Sequence, residues 1–318
     1  MTSATAGDAS AEGFAFAHDA FFYRGSDEYV DGVLGWLRNG LDAGQPGLVA
    51  LRQPILGMVR DQLNGQADAV EFVDIESVGK NPARLIPTIR DYLDTHPNIR
   101  ARLVGEPIWP GRSSAEIVEA TRHEAMLNTL FAGAAIDILC PYDAANLPSG
   151  VIEDARRTHP TVLVHGSRKP SAAYADPARI YDRADDLAEA PADALHHEVG
   201  ECDLADLRAW VGRFATEAGL EPRPVQDLVL AVNELVTNTI THAGGSGAIS
   251  AWTDDRSVVC EIRDNGYITD PFAGRHHPDR DDDHGRGLWL ANQLCDLVQM
   301  RSTPKGTIIR VFMDVPTA

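Results

Sequence analysis

At 318 residues with 44% hydrophobic content, the chain is long enough for two domains with buried cores. Its formal net charge of −19, with no basic patch to neutralise phosphates, argues against direct nucleic-acid binding. Four scattered cysteines with no CxxC pair suggest neither a disulfide framework nor a zinc site. No run approaches the ~20 apolar residues of a membrane span, and no charged-then-apolar leader opens the chain, so a cytoplasmic protein away from the membrane is expected.

Residues 1–13, small and polar, read as a disordered tail. FAFAHDAFFY (14–23) reads as a strand and turn, and 27–41 as a helix with Tyr29, Val33, Trp36, Leu37 and Leu41 at core spacing. GLVAL (47–51) reads as a buried strand leading into a helical run through Leu63. VEFVDI (70–75) is a strand, 82–93 a helix, and RARLVGEPIW (100–109) a strand ending in a loop. A helix over 114–130 and the strand IDILCPYD (136–143) follow. Short apolar strands alternating with helices predict a mostly parallel α/β sheet with both faces covered. Ligands of such sheets sit beyond the carboxyl ends of the strands. His18, Tyr23, Glu106, Trp109, His123, Cys140 and Tyr142 are the polar candidates for a small-molecule sensor pocket there. Taken singly, each also reads as a packing or capping residue. Gly79-Lys80 lacks the upstream glycine and the following Ser or Thr of a phosphate loop, so no nucleotide is expected in this half.

HDAFFY, GEPIW, HEAMLN and CPYDAANL resemble the MEDS sensory domain over roughly residues 14–165. The resemblance implies a RecA-like fold without its phosphate loop, and it carries over no ligand.

Residues 166–191 mix Pro, Ala, Asp and Arg without clear periodicity and read as a linker, part of it helical. ADALHHEVGE reads as an edge strand. A helix over 203–218 follows, with Asp203 as a possible N-cap. In PVQDLVLAVNELVTNTITHA (224–243), Val225, Leu228, Val229, Val232, Val236 and Ile240 form one apolar stripe of a helix. Asp227, Ala231, Glu234, Asn238 and His242 fall opposite it. Glu234 and Asn238, four apart, stack on one face. That pairing suits a base beside a metal ligand, or simply a solvated helix face.

After Gly244-Gly245-Ser246-Gly247, the runs 248–253 and 257–263 predict a hairpin ending in Asp264-Asn265-Gly266. A carboxylate there can accept from the exocyclic amine of adenine. Gly285-Arg286-Gly287 opens the helical run LWLANQLCDL, where free N–H groups and the helix dipole favour a phosphate. Gly306-Thr307 starts the strand TIIRVFMDV, with Thr307 placed to bond the base or a bridging water. HHPDRDDDH (276–284) reads as a solvated acidic loop rather than a metal site, and Cys260 and Cys295 as core fillers.

ELVTN, DNG, GRGLWL and GTIIRVFM, in this order over roughly 192–318, resemble the GHKL ATP-binding domain, and within it the anti-sigma factor serine kinases of the RsbW type. The resemblance implies an α/β sandwich, its mixed sheet covered by helices on one face, that binds ATP and Mg²⁺. By it, Glu234 would be the general base, Asn238 the Mg²⁺ ligand, and Asp264, Gly266 and Thr307 the adenine end. Gly285, Arg286 and Gly287 would hold the phosphate end. It also implies a sigma factor and a STAS-type anti-sigma antagonist as partners, and a homodimer. One departure stands out: where the family has a second glycine two residues after Gly266, this chain has Ile268. Two other readings stay open, a sensor histidine kinase using His196 or His197, and a non-enzymatic sigma-binding module.

Overall fold

The computed structural model describes residues 16–182, 187–200, 204–254, 256–278 and 286–316. The expected tail at 1–13, Asp203, Asp281–Asp283 and Gly285 lie outside the described residues. In chain order the first elements are β1 (Ala17–Tyr23), α1 (Ser26–Leu41), β2 (Gly47–Leu51), α2 (Ile55–Leu63), β3 (Val70–Asp74), α3 (Ile75–Val78), α4 (Leu85–Thr95), β4 (Ala101–Gly105), α5 (Ser114–Leu130), β5 (Ile136–Asp143), α6 (Ser149–Thr158), β6 (Thr161–Val164), β7 (Ser167–Pro170) and α7 (Ala178–Tyr181). Then come β8 (Leu195–Val199), α8 (Leu204–Glu217), α9 (Pro222–His242), β9 (Gly247–Thr253), β10 (Ser257–Asp264), α10 (Arg286–Leu294), β11 (Leu297–Thr303) and β12 (Gly306–Asp314). Two compact units divide the chain: Met1–Asp74, Tyr92–Pro110 and Leu127–Ala175 form one, and Ile75–Asp91, Gly111–Met126 and Asp176–Ala318 the other.

The first unit holds a seven-stranded sheet in the order β3-β2-β4-β5-β1-β6-β7. Its pairings are parallel except β6 with β7. The mostly parallel α/β expectation is met. Every residue of β2 is buried, as the unbroken apolar run GLVAL requires of a strand covered on both faces. β7, at 167–170 inside the stretch expected as linker, closes the sheet as an exposed antiparallel edge. The turn after β1 does not cradle a phosphate. The Glu28 carboxylate occupies the start of α1 and accepts the Arg24 N–H at 2.7 Å, so the chain's own anion sits where the helix dipole would draw one.

The second unit holds a five-stranded sheet, β11-β12-β10-β9-β8, antiparallel at every described pairing. β8 is the edge expected of ADALHHEVGE. Alternation sets the core: Val258, Cys260 and Ile262 of β10 face α8, α9 and α10, where Leu207, Val211, Leu228, Val232, Leu235, Val236, Leu288 and Ala291 pack. The residues between them point the other way. There Glu261, fully buried, pairs with Arg310, whose guanidinium also lies over the Trp252 ring at 5.0 Å.

LWLANQLCDL is not one helix. α10 ends at Leu294, and Leu297–Thr303 forms β11, the far edge of the sheet. The last carbonyls of α10 are met by a cation: Arg84 donates from Nε to Asn292 O at 2.9 Å and from Nη2 to Cys295 O at 2.5 Å. A guanidinium at a helix C-terminus satisfies orphan acceptors and complements the dipole. Lys80 bridges Asp296 and Asp314 at 2.9 and 3.1 Å, and Glu119 of α5 meets Arg301 at 2.8 Å and Arg275 at 3.6 Å. Burial pushes the Arg275 guanidinium down to about 10, against the pull of Glu119.

A candidate nucleotide cleft

α9 places two of the expected site residues. Pro222, the first helical residue after the N-cap Glu221, pre-sets the first turn, and Gly244 and Gly245, both at φ 78°, end the helix just beyond Ala243. The face opposite the stripe is not solvated, as a simple amphipathic reading would have it. Ala231 is fully buried, and Glu234 and Asn238 are half-buried. The reason is α10. A Cβ on Gly287 would lie 2.9 Å from Asn238 Nδ2 and 3.3 Å from Glu234 Cβ, so any side chain here would push the Asn238 carboxamide aside.

Asp264 ends β10 opposite Gly247 of β9 and Thr307 of β12. Its carboxylate is clamped on both sides, Oδ2 accepting from Thr239 Oγ1 at 2.8 Å and Oδ1 from Gly266 N at 2.8 Å. A relay of hydroxyls fixes the following turn. Ile268 N–H donates to Ser302 Oγ at 2.7 Å, Ser302 Oγ and Thr307 Oγ1 are 2.6 Å apart, and Thr307 Oγ1 donates to Gly266 O at 2.8 Å. Gly266 has no room for a side chain, since a Cβ would sit 2.9 Å from Ala243 Cβ.

Part of this set borders a cavity of about 540 Å³, a size that suits a small-molecule ligand, and Glu234 is not in its lining. Asn238, Asp264, Gly266 and Thr307 line it together with His242 and the apolar side chains of Leu235, Ile268, Leu288 and Ile309. A fixed carboxylate between apolar walls fits a flat heterocycle carrying an exocyclic amine, because each carboxylate oxygen keeps a second lone pair. Asn238 beside the start of α10 fits the metal-bound phosphate end. The donor set therefore fits a nucleotide with Mg²⁺. Arg286 is exposed at the first residue of α10, and Gly285 lies outside the described residues. Ile268, at the departure from the glycine pattern, is a cavity wall whose N–H is already bonded.

Sequence reasoning missed Thr239 and Ser302. Nothing in their spacing says that one would clamp Asp264, or the other hold Thr307.

Six of the seven sensor candidates fall in the first unit and His123 in the second. Tyr23 donates to Glu106 Oε1 at 3.0 Å, Arg52 donates to Glu106 Oε2 at 3.3 Å, and the Arg52 guanidinium lies 5.7 Å over Trp109. Burial holds the Glu106 carboxyl above its ordinary range, against the attraction of Arg52 and the hydrogen bond from Tyr23. It raises the Tyr23 and Tyr29 hydroxyls as well. His18 and Cys140 form a separate buried group, with Tyr142 edge-on to His159. His123 is buried on α5. Cys260 and Cys295 are buried in the C-terminal core, as their apolar surroundings imply, and burial pushes the Cys260 thiol up to about 12.

The family described as MEDS, methanogen/methylotroph, DcmR sensory domain, matches residues 17–160. The family described as histidine kinase-like ATPase domain matches residues 201–313. No curated protein matches the chain. Among solved structures, it is similar to the RsbU and RsbW domains of Rv1364c from Mycobacterium tuberculosis, at 20% identity and a TM-score of 0.30 over 40% of this chain and 34% of that one. It thus spans about a third of that relative. It is also similar to the histidine kinase domain of the E. coli osmosensor EnvZ, at 18% identity and a TM-score of 0.25 over 41% of this chain and 93% of that one. Among the described residues no helix is long and apolar enough to cross a membrane. The chain carries an N-terminal MEDS domain followed by a C-terminal histidine kinase-like ATPase domain.

Proposed function

We propose that the C-terminal domain is a cytoplasmic anti-sigma regulatory kinase. It binds ATP with Mg²⁺, sequesters a sigma factor, and phosphorylates a serine of an anti-sigma antagonist under control of the N-terminal domain, acting as a homodimer. The observation that carries the reading is the packing of Gly287 against Glu234 and Asn238, which sets a carboxylate and a carboxamide beside the N-terminal end of α10.

Each residue then has a task. Asp264, held by Thr239 and Gly266 N–H, accepts from the adenine amine. Thr307 keeps the Gly266 turn in place. Asn238 supplies an oxygen to Mg²⁺, which when bound offsets the charge of the phosphates. Glu234, one turn earlier, takes the proton of the incoming serine hydroxyl. His196 lies on the strand β8 with Nδ1 2.8 Å from Ser250 Oγ, a setting unlike a phosphoacceptor on a dimerisation helix, and this supports the serine reading.

Calorimetry with ATP and Mg²⁺, then radiolabel transfer to candidate antagonists recovered by pull-down, tests the proposal. Saturable heat and an acid-stable label on the antagonist are expected. Heat without transfer would leave a sigma-binding module. An acid-labile label on the chain itself would mark a histidine kinase.

A further inference from the structure

His18 on β1 and Cys140 on β5 share one face of the first sheet. The parallel register sets His18 opposite Ile138, and Cys140 is two residues on, so its side chain returns to the same side. His159 precedes β6, the other neighbour of β1, and its ring centroid lies 4.0 Å from that of His18. All three are at most 2% exposed. A ligand atom from each lies within 4.8 Å of the others.

The hydrogen bonds around them fix which nitrogens face inward. Asn128 Nδ2 donates to Thr158 O at 2.7 Å, which turns Asn128 Oδ1 toward His18 Nδ1 at 3.2 Å. An oxygen acceptor there places the His18 proton on Nδ1 and leaves a lone pair on Nε2, 3.4 Å from Cys140 Sγ. His159 Nδ1 lies 2.7 Å from Ala155 O, so its proton is also on Nδ1 and its Nε2 carries the lone pair. Imidazoles that bind metals are held in this way, the outer N–H donated to a carbonyl and the inner nitrogen unprotonated.

We propose that His18 Nε2, Cys140 Sγ and His159 Nε2 form a transition-metal site of the Zn²⁺ class in the N-terminal domain. The spacing agrees with the chemistry. Zn–N of about 2.05 Å and Zn–S of about 2.3 Å at a tetrahedral angle put nitrogen and sulfur about 3.6 Å apart, close to the His18–Cys140 separation. Two imidazoles and one thiolate suit Zn²⁺ over hard cations such as Mg²⁺ or Ca²⁺. Binding forms one Zn–S and two Zn–N bonds and releases the Cys140 thiol proton to solvent. A fourth position remains for a carboxylate or an exogenous donor.

The test uses the full chain, stripped with chelator and titrated with Co²⁺ as a spectroscopic stand-in for Zn²⁺. One equivalent should bring tetrahedral d–d bands and a thiolate-to-Co²⁺ charge-transfer band, reversed by added Zn²⁺. Cys140→Ala should abolish the charge-transfer band, and Cys202→Ala, Cys260→Ala and Cys295→Ala should keep it. Asn128→Ala, which leaves all three ligands in place, should weaken affinity about 10–100-fold. The idea is overturned if the wild-type chain, folded by circular dichroism, gives no such band with Co²⁺ in large excess. It is equally overturned if the band survives in folded Cys140→Ala. Should that variant fail to fold, the wild-type spectrum and Asn128→Ala decide.

Discussion

The two domains treat their polar residues in opposite ways. In the N-terminal domain Tyr23, Glu106, His18 and Cys140 are almost wholly buried, and their bonds run to one another or to Arg52 and Asn128. In the C-terminal domain Asp264 and Asn238 are only half-buried and line a cavity of about 540 Å³. The open cleft has the size of a small-molecule site, whereas the polar atoms of the closed clusters are spent largely on one another. The difference also sets what substitutions do. Residues of the open cleft should change binding and chemistry at little cost in stability, and residues of the closed clusters should change stability first.

The sharpest break of that contrast is Glu234→Gln. The side chain keeps its size and loses its proton-accepting charge, so phosphotransfer should fall about 10²–10⁴-fold while ATP binding and the unfolding midpoint hold. Radiolabel transfer, calorimetry and thermal unfolding on one preparation read all three. Wild-type transfer by this variant would remove Glu234 from the role of base. A lowered midpoint with normal transfer would make it a structural residue, and the contrast would fail there.

Asp264→Asn comes next. The amide oxygen can keep the bond from Gly266 N–H while Nδ2 donates to the Thr239 hydroxyl, but the charged acceptor for an exocyclic amine is gone. Hydrogen bonds to charged groups contribute about 1.5–3 kcal/mol, so the preference for ATP over GTP should fall about 10–100-fold. Competition binding with the two nucleotides measures it, and an unchanged ratio would place the base elsewhere.

Gly287→Ala probes the junction of α9 and α10. The added methyl meets Asn238 Nδ2 at 2.9 Å and Glu234 Cβ at 3.3 Å, so the Asn238 carboxamide must swing aside and the contact with Glu234 tightens. A loss of about 1–3 kcal/mol in unfolding free energy is expected, together with weaker Mg²⁺–nucleotide binding as Asn238 is displaced. A variant as stable as the wild type, with the same affinity, would show that the helices separate in solution.

Much of this was legible because local patterns repeat physical constraints. GLVAL can only be a strand covered on both faces, and Asp264-Asn265-Gly266 after a hairpin can only end one. β11 was not legible. Leu294, Leu297 and Val298 continue a helical period as readily as they start a strand, and pairing with β12 decides between the two. The buried Ala231 face of α9 was hidden for the same reason, since it depends on where α10 packs. Within the site, Glu234, Asn238 and Asp264 carry their chemistry in their side-chain types. Thr239 and Ser302 act only through partners that sequence does not bring near. His159 was passed over because a histidine between a helix and a strand has no spacing to Cys140 that a motif could record.

The smallest expected effect lies in the closed cluster around Glu106. Burial raises its carboxyl above the ordinary value of 4.5, although Arg52 and Tyr23 pull it down. The folded chain therefore keeps this proton at a pH where the unfolded chain has lost it. The contribution to stability is fully present below about 4.5 and is lost as pH rises through the folded-state value. Glu106→Gln cannot ionise, so its denaturation midpoint should fall less than that of the wild type as pH rises from acid to neutral. The other titrating groups are common to both proteins, so the difference between the two curves isolates Glu106. Parallel curves would mean that Arg52 and Tyr23 hold the carboxylate as well as water does, and the cluster would then be closed in geometry but not in electrostatics.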